Sequence, residues 1–306
     1  MTIEQFKKNL YVPKGRVDVV MDTDACAECD DQFAIAYMIK SKEKINVKAI
    51  YAAPFCDGET ESTLVGMEKS YEEILKILDL MNEDELKANV FKGADKFITE
   101  ETVPVISNAA KHLVELADTY TSEKPLYVIG IGAITNIASA ILINPGIVEK
   151  MVVIWLGGHS RDYENTKEFN MMNDIAAARI VFSSGVPIVQ LPCFGVVSSF
   201  SISGDELEKR FKGKNPLCDY LVERTVFEVS RWINPDCDWT RIIWDVTPVA
   251  WLLNDENNFM FDRIVPVRVP TYEGIYEEKE SENLMCYVYF ISRDELMRDV
   301  IEKITK

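Results

Sequence analysis

The alternation of short β-branched runs with longer amphipathic segments most constrains the fold of this 306-residue chain. RVDVVMD at 16–22 reads as a strand, and DQFAIAYMIKS at 31–41 has apolar residues at helical spacing. The same order continues along the chain. Further strands are predicted at INVKAIYAAP, ANVFKG, PLYVIGI and KMVVIWLGG, and a helical stretch near 58–80 separates the first two. Strands that are apolar throughout are typical of a sheet buried on both faces. The sequence therefore predicts an α/β fold with a mostly parallel central sheet flanked by helices on both faces.

The second half of the chain keeps this alternation less regularly. NDIAAARIVFSSG predicts a helix and VPIVQLPC a strand, and further helices are expected near 204–233. WDVTPVAWLL at 244–253 predicts a helix, while RIVPVRV and MCYVYFI predict late strands near a sheet edge. Because no Gly/Ser-rich or Pro-rich linker and no repeat interrupts the pattern, we expect one domain over residues 1–306.

The charge of the chain limits its partners. Thirty-three basic against fifty acidic residues give a formal net charge of −17, which repels nucleic-acid phosphates and anionic membranes. No apolar run approaches the roughly 18 residues that span a bilayer, and MTIEQFKKNLYVPKG lacks the apolar stretch of a secretory signal. We therefore expect a cytoplasmic protein that binds neither nucleic acid nor membrane, with a neutral or cationic small-molecule ligand.

The stretch MDTDACAECDD at 21–31 concentrates acidic side chains between the first strand and the next helix. Ligands of parallel α/β sheets collect at the carboxyl ends of the strands. A helix N-terminus favours one or two carboxylates such as Asp30 and Asp31, but it does not account for Asp22, Asp24 and Glu28 as well. Such crowded carboxylates repel one another unless a cation lies among them, and oxygen ligands suit Ca²⁺ or Mg²⁺. The loop predicts a site for a hard cation.

A thiol site is the first alternative for this loop, because Cys26 and Cys29 form a C-x-x-C pair. The seven cysteines of the chain show no framework spacing, so reduced thiols are expected. A structural zinc site needs further ligands, yet His112 and His159 stand alone in the sequence. The neighbouring carboxylates would also raise the pKa of both thiols. The missing zinc ligands and the raised thiol pKa values both disfavour the thiol site.

Two other acidic motifs fit the loop poorly. An EF-hand needs Gly at its sixth and Glu at its twelfth position, where counting from Asp22 gives Ala27 and Phe33. A phosphatase of the D-x-D type normally continues with Thr or Gly and then Thr, whereas Ala25 and Cys26 follow here. A phosphatase remains an alternative function, although the loop lacks the motif expected of that class.

DTDACAECDDQFAIAY resembles the opening motif D-x-D-x-x-x-D-D-A of the inosine-uridine-preferring nucleoside hydrolase family, with two extra residues. Three later stretches resemble further segments of that family in the same order: GAITNIASAI at 132–141, GGHSRDYENTKEFNMMNDIAAA at 157–178, and IIWDVTPVAWLL. The resemblance covers most of residues 16–253. It implies a Rossmann-like nucleoside hydrolase fold, calcium-dependent hydrolysis of the N-glycosidic bond of ribonucleosides in purine and pyrimidine salvage, and a homodimer or homotetramer.

The resemblance also implies a role for individual positions of this chain. Asp24 would ligate calcium and act as general base on a water molecule, and Asp31 would ligate the ion through both oxygens. Asp245 and the backbone carbonyl of Ile131 would complete the protein ligands, and Asp22 would support the loop from behind.

Substrate contacts follow from the same resemblance. Asp30 would hold the ribose hydroxyls, and Glu168 and Asn170 match the family's contacts to the 5′-hydroxyl and the sugar. The alternative for Glu168 and Asn170 is an ordinary polar loop before a helix. Trp244 stands immediately before the late aspartate, where it would contact the base by stacking.

The chain departs from the family pattern at two places. APFCDG at 53–58 contains no Asn where the family has one that helps to hold the ribose, and Trp244 replaces the His that serves the leaving base. A catalytically weak nucleoside- or sugar-binding member of the fold is therefore the alternative to an enzyme. The acid that would protonate the leaving base stays open among His159, Arg161 and Tyr163, or is absent where an aromatic residue such as Trp244 or Trp239 only stacks.

Overall fold

The strands of the protein follow the predicted alternation and build one large sheet. The computed structural model describes residues 1–234 and 237–306. Its strands are β1 Val17–Thr23, β2 Ile45–Ala52, β3 Val90–Lys92, β4 Leu126–Gly130, β5 Met151–Leu156, β6 Ile188–Leu191, β7 Ser201–Ser203, β8 Thr240–Ile242, β9 Met260–Pro266 and β10 Leu284–Ile291. Eight of them form the order β3-β2-β1-β4-β5-β6-β10-β9, and β7 pairs with β8 separately. Only β9 runs antiparallel within the large sheet, so the predicted mostly parallel sheet is confirmed.

Helices connect these strands and cover both faces of the sheet. They are α1 Ile3–Asn9, α2 Asp31–Lys40, α3 Thr63–Met81, α4 Asp84–Lys87, α5 Asn108–Ala117, α6 Thr135–Ile143, α7 Phe169–Asn173, α8 Ile175–Ser183, α9 Gly204–Phe211, α10 Pro216–Ser230, α11 Val246–Leu252 and α12 Arg293–Thr305. Short 3-10 segments lie at Pro145–Glu149, Val197–Ser199 and Asp255–Asn257. Within the described ranges, none of the helices has the length and apolar character needed to cross a membrane.

The core lies on both sides of the sheet because successive strand residues point to opposite faces. Along β1, Val19 and Met21 pack into one apolar cluster with α2, α11 and α12, and Val20 packs into the other. All six residues of β5 are buried. Burying a side chain of this size contributes roughly 1.5–3 kcal/mol, so the two clusters explain why β4 and β5 are apolar almost throughout.

The structure corrects the start of one predicted helix and adds elements that the sequence patterns did not indicate. α3 begins at Thr63 and not near 58, because the Asp57 carboxylate accepts the backbone N–H groups of Glu59 and Thr60 and closes a turn. Gly58 has φ +85° in this turn, a left-handed conformation that a helix cannot include. α1, α4, α7, α12 and the short pair β7 and β8 were not predicted. α9 and α10 confirm the helices expected near 204–233.

Candidate active site

A pocket of about 290 Å³ opens at the carboxyl ends of the parallel strands. Asp24 follows β1, Ile131 follows β4, and Cys193 and Phe194 follow shortly after β6. This is the edge of the sheet where parallel α/β folds bind ligands. Eight of the nine site residues predicted from the sequence line this pocket: Asp24, Asp30, Asp31, Ile131, Glu168, Asn170, Trp244 and Asp245.

Three buried carboxylates meet at the floor of the pocket. One oxygen each of Asp30, Asp31 and Asp245 lie within 4.8 Å of one another. The Thr23 hydroxyl donates to Asp31 Oδ1 over 2.5 Å, and the backbone N–H of Asp245 donates to Asp30 Oδ2 over 3.3 Å. Asp30 precedes α2 without capping it through its side chain. A capping role therefore does not explain Asp30, and the three side chains could hold a metal ion.

Asp24 brings a fourth carboxylate to the same pocket. Asp24 Oδ2 and Asp30 Oδ1 are buried and have no hydrogen-bond partner in the described residues. Gly132 makes the close approach of Asp24 possible, since a Cβ at position 132 would lie 2.9 Å from Asp24 Cγ. Buried carboxylate oxygens without donors are costly unless a ligand satisfies them. Their position fits a cation that prefers oxygen.

Burial raises the pKa values of these carboxyl groups. Burial first, and then the charge of Asp31, holds the pKa of Asp24 well above its ordinary range. Burial raises the pKa of Asp31 to about 7 against the opposing hydrogen bond from Thr23. Burial and the charge of Asp30 raise the pKa of Asp245 well above its usual value. A cation that binds here near neutral pH must therefore displace protons.

Asp22 lies behind the pocket and not in its wall. Asp22 Oδ1 accepts a hydrogen bond from Asn136 Nδ2 over 2.8 Å, and Asn136 Oδ1 accepts from the backbone N–H of Ala94 over 2.8 Å. Burial raises the pKa of Asp22 to about 7, and the bond from Asn136 opposes the shift. The bond between Asp22 and Asn136 thus connects the end of β1, where the acidic loop begins, to the start of α6.

Glu168 and Asn170 are held by backbone groups around the rim of the pocket. Glu168 caps α7, with Oε1 accepting from Asn170 N over 2.8 Å and Oε2 accepting from Gly158 N over 2.9 Å. Asn170 Nδ2 donates to the carbonyl oxygens of Ile131 and Leu156, over 3.2 Å each. Both N–H donors of the Asn170 amide are thereby used, so only its Oδ1 remains free to accept a hydrogen bond from a ligand. The carbonyl of Ile131 also keeps a second lone pair for a ligand.

A cluster of aromatic rings also lines the pocket. Phe194 and Trp244 both line it, with ring centroids 5.6 Å apart and planes at 90°. Tyr163 stacks on Phe194 from outside the pocket wall, with centroids 5.8 Å apart and planes at 19°. The pocket therefore has an acidic end and an aromatic end. An aromatic end of this kind suits a flat apolar ring.

The candidate acids for a leaving group are placed very differently. His159 lines the pocket, but its Nδ1 accepts the backbone N–H of Phe194 over 3.3 Å and its ring also bonds to the backbone of Lys167. Burial lowers the pKa of His159, which favours a neutral ring. Arg161 lies outside the pocket wall and donates through Nη2 to the carbonyl of Pro266 over 2.7 Å. Trp239 likewise lies outside and packs against Gly204.

Sequence reasoning missed several residues of the pocket wall, namely Lys167, Cys193, Phe194 and Arg241, whereas Glu28 of the predicted carboxylate cluster does line it. The rule that ligands gather beyond strand ends could have indicated Cys193 and Phe194, which follow β6. Arg241 lies in the short strand β8 outside the large sheet, so no strand-end rule indicates it.

The thiols of the loop have no features of a reactive pair. Burial raises the pKa of Cys29 to about 12, and it also raises the pKa of Cys26. Thiolates are the reactive form, so both side chains are suited to packing rather than to metal or redox chemistry at neutral pH.

Comparison with known proteins places this site in a family. The family model described as inosine-uridine preferring nucleoside hydrolase matches residues 19–288. The pyrimidine-specific ribonucleoside hydrolase RihA of Escherichia coli O1:K1 is 26% identical over 253 residues, 74% of this chain and 77% of that protein.

Solved structures share the fold at low sequence identity. A plant nucleoside hydrolase, PpNRh1, superposes with a TM-score of 0.74 at 17% identity and covers 94% of this chain and 99% of its own. A purine-preferring ribonucleoside hydrolase from Gardnerella vaginalis gives 0.72 at 19% identity, covering 94% and 98%. The type III effector XopQ, solved with adenosine diphosphate ribose, gives 0.68 at 14% identity, covering 100% and 99%.

The family match and the relatives make this chain a hydrolase that acts on N-glycosyl bonds. The match over residues 19–288 makes the assignment more specific. The chain belongs to the inosine-uridine preferring nucleoside hydrolase family.

Proposed function

We propose that this protein hydrolyses the N-glycosidic bond of ribonucleosides in a calcium-dependent reaction and releases the free base and ribose. The observation that carries the proposal is the unsatisfied oxygen of Asp24, in a pocket that Asp30, Asp31 and Asp245 line together with the aromatic rings of Phe194 and Trp244. The acidic end suits a sugar that develops positive charge, and the aromatic end suits a base.

The donor set fits calcium better than a softer metal. Asp24, Asp31, Asp245 and the carbonyl of Ile131 are all oxygen donors in the pocket wall, and calcium takes six to eight oxygens in flexible geometry. These four residues would hold the ion. When bound, calcium would polarise a water molecule next to the sugar.

The residues of the chain would then divide the chemistry. Asp24, with one oxygen free of hydrogen bonds, accepts the proton of the attacking water as general base. Asp30 accepts hydrogen bonds from ribose hydroxyls, and Asn170 Oδ1 and Glu168 contact the sugar near its 5′ end. Because the planes of Trp244 and Phe194 are perpendicular, one ring stacks on the base and the other contacts its edge. Asp22 positions the loop through Asn136.

A panel of purine and pyrimidine nucleosides, assayed for released ribose with and without a chelator, tests this function. We expect stoichiometric release of base and ribose that stops with the chelator and returns with calcium. Binding of nucleosides without ribose release over long incubation would favour the alternative, a catalytically weak binding protein. The occupied ring nitrogens of His159 and the indole of Trp244, neither of which offers an acid, are the observations in favour of that alternative.

We also propose that the chain folds as one domain and forms a homodimer or homotetramer. The sheet that continues from β3 to β9 supports one domain. Exposed rings of Phe261 and Phe290, with centroids 5.7 Å apart beside the edge strand β9, supply an apolar surface for self-association. Light scattering after size-exclusion chromatography tests the assembly. The cytoplasmic location stays a prediction from the sequence.

A further inference from the structure

The aromatic end of the pocket offers ring faces but no free acid in the described wall. Phe194 and Trp244 line it, and an indole N–H can donate a hydrogen bond but does not act as an acid. The ring of His159 packs against Phe194, with centroids 4.9 Å apart. Its Nδ1 accepts the backbone N–H of Phe194 over 3.3 Å, and the ring also bonds to the backbone of Lys167. A neutral base that leaves as an anion therefore meets no ring nitrogen placed to protonate it.

The two glutamates of the pocket wall are also engaged. Glu168 accepts the backbone N–H groups of Gly158, Asn170 and Met171. Glu28 accepts from Arg241 Nη2, which comes from β8. Hydrogen bonds that these carboxylates accept from N–H donors favour their ionised form. Neither glutamate is therefore well suited to deliver a proton to a leaving base.

The other protic side chains of the described wall are placed as follows. Arg241 does not release a proton at physiological pH. Burial raises the pKa of the Cys193 thiol well above its ordinary range, so the thiol is a weak acid. Lys167 is exposed and packs against Gly274, where an added Cβ would lie 2.6 Å from Lys167 Cγ. Lys167 is thus the side chain whose role as an acid an experiment has to exclude.

The charge of the pocket favours a cationic ligand. Six carboxyl groups line the pocket against two basic side chains, Lys167 and Arg241. A bound divalent cation would not balance this excess, and the whole chain carries a formal net charge of −17. The face of an aromatic ring also attracts a cation, most strongly at Trp, and Trp244 lines the pocket. Carboxylates and ring faces therefore act in the same direction.

We propose that the pocket selects N-ribosides whose base carries a fixed positive charge on its ring, such as a pyridinium or an N-alkylated purine, over neutral nucleosides. The proposal rests on the proposed function, because it assumes that Phe194 and Trp244 receive the base. The C1′–N bond breaks with its electron pair going to the ring nitrogen, so the base leaves neutral without a proton. The oxygen of water forms the new bond to C1′, and Asp24 takes the proton of that water.

Ribose release from two pairs of substrates tests the reaction. The pairs are guanosine with 7-methylguanosine, at a slightly acidic pH where the methylated purine keeps its charge, and uridine with nicotinamide riboside. We expect kcat/KM for the charged member of each pair to exceed that of the neutral member by at least about a hundredfold, since a general acid contributes about 10²–10⁴ in rate. A smaller ratio overturns the proposal.

Calorimetry separates selection by the pocket from the lability of a charged N-glycosyl bond. Nicotinamide and 1-methylnicotinamide have the same ring and differ in the fixed charge, and neither has a glycosidic bond. We expect 1-methylnicotinamide to bind the calcium-loaded wild type at least about threefold more tightly, which is within the range of one cation–π contact. A smaller difference overturns the proposal, even where the charged ribosides are cleaved faster.

Trp244→Leu tests the ring that would face the charge. We expect this variant to lose roughly threefold to thirtyfold more on the charged than on the neutral member of each pair. Trp232→Leu is the matched control, because Trp232 is 70% exposed, donates through Nε1 to Glu228 and does not line the pocket. The ratios of the control should equal those of wild type. Equal losses on both members in Trp244→Leu contradict the proposal, and Phe194→Leu replaces this variant where circular dichroism shows that it does not fold.

Lys167→Met tests the remaining donor. We expect the charged and neutral members of each pair to change by the same factor. A loss confined to the neutral members would identify Lys167 as the acid of the leaving group and overturn the proposal.

Failure of the inference differs from failure of the proposed function. Neutral nucleosides that are cleaved in a calcium-dependent reaction, with ratios below about a hundredfold, leave the proposed function intact and overturn the inference. Wild type that releases ribose from none of the four substrates refutes the proposed function. The calorimetric comparison of nicotinamide with 1-methylnicotinamide then decides on the selection of a charged ring alone.

Discussion

The metal-free protein should become less stable as the pH rises from 5 to 8, and calcium should reverse this trend. Asp31 is fully buried, and its pKa is raised from an ordinary value of 3.8 to about 7. Between these two pKa values the folded chain binds a proton that the unfolded chain has released, so the slope of unfolding free energy with pH is negative. Below pH 4 both states are protonated and Asp31 contributes nothing, whereas above pH 7 the full destabilisation is present.

The size of the effect follows from the two pKa values. A difference of about three pH units corresponds to about 4 kcal/mol for Asp31 alone, because one unit corresponds to about 1.4 kcal/mol. This is a large share of the 5–15 kcal/mol that typically separates folded from unfolded domains. A bound cation would favour the ionised carboxylates and remove the penalty.

Urea unfolding at pH 5 and pH 8, with a chelator or with calcium, measures this linkage. We expect the chelated protein to lose several kcal/mol between the two pH values and the calcium-loaded protein to be more stable at pH 8 than the chelated one by at least as much. Asp31→Asn in chelator should show a flatter dependence, and the exposed Glu164→Gln should follow wild type. A chelated wild-type protein that is equally stable at both pH values, or more stable at pH 8, would refute the reasoning.

Three further predictions concern the residues of the site. Replacing Cys26 and Cys29 together by Ser should leave calcium stoichiometry nearly intact, as measured by elemental analysis, because the proposed ligands are oxygens; loss of the metal would support the thiol site. Asp24→Asn and Asp31→Asn should both abolish ribose release. Excess calcium should restore activity better in Asp31→Asn, because Asp24→Asn removes the general base as well as a ligand. Equal restoration in both variants would contradict the assignment of Asp24 as the base. p-Nitrophenyl riboside should be cleaved much faster than inosine or uridine because Trp244 cannot donate a proton as an acid, and a general acid contributes on the order of 10²–10⁴ in rate. An acid lies elsewhere if natural nucleosides are cleaved as fast as p-nitrophenyl riboside and if Trp244→His leaves the ratio of the two rates unchanged.

The sheet could be predicted because its strands carry their own signal. Residues of β4 and β5 face apolar clusters on both sides, so their sequences are nearly continuous apolar runs, and β1 has an apolar centre, Val19 to Met21. β7 and β8 have three residues each and lie outside the large sheet, and such short partly exposed strands leave no periodic pattern. The pairing of β10 with both β6 and β9 depends on packing over distant parts of the chain, which a local pattern does not encode.

The candidate site could be predicted only where one short segment carries several of its residues. The acidic loop places Asp24, Asp30 and Asp31 within eight positions, and all three line the pocket. Arg241 reaches Glu28 across more than two hundred residues, so only the folded chain reveals the pair. The same holds for His159, whose position in a loop indicates neither its burial nor its bond to the backbone of Phe194.

The two ends of the pocket suggest how the proposed reaction divides its work. At the acidic end, carboxylates face a sugar that becomes positively charged as the base departs, which is where electrostatic stabilisation has its largest effect. At the aromatic end, Phe194 and Trp244 offer ring faces, and His159 is held neutral with its nitrogens engaged. Stacking is tolerant of the identity of a base, since every base has an aromatic face. On the proposed function, selectivity should therefore arise from the sugar, while the choice among bases should follow how readily each one leaves.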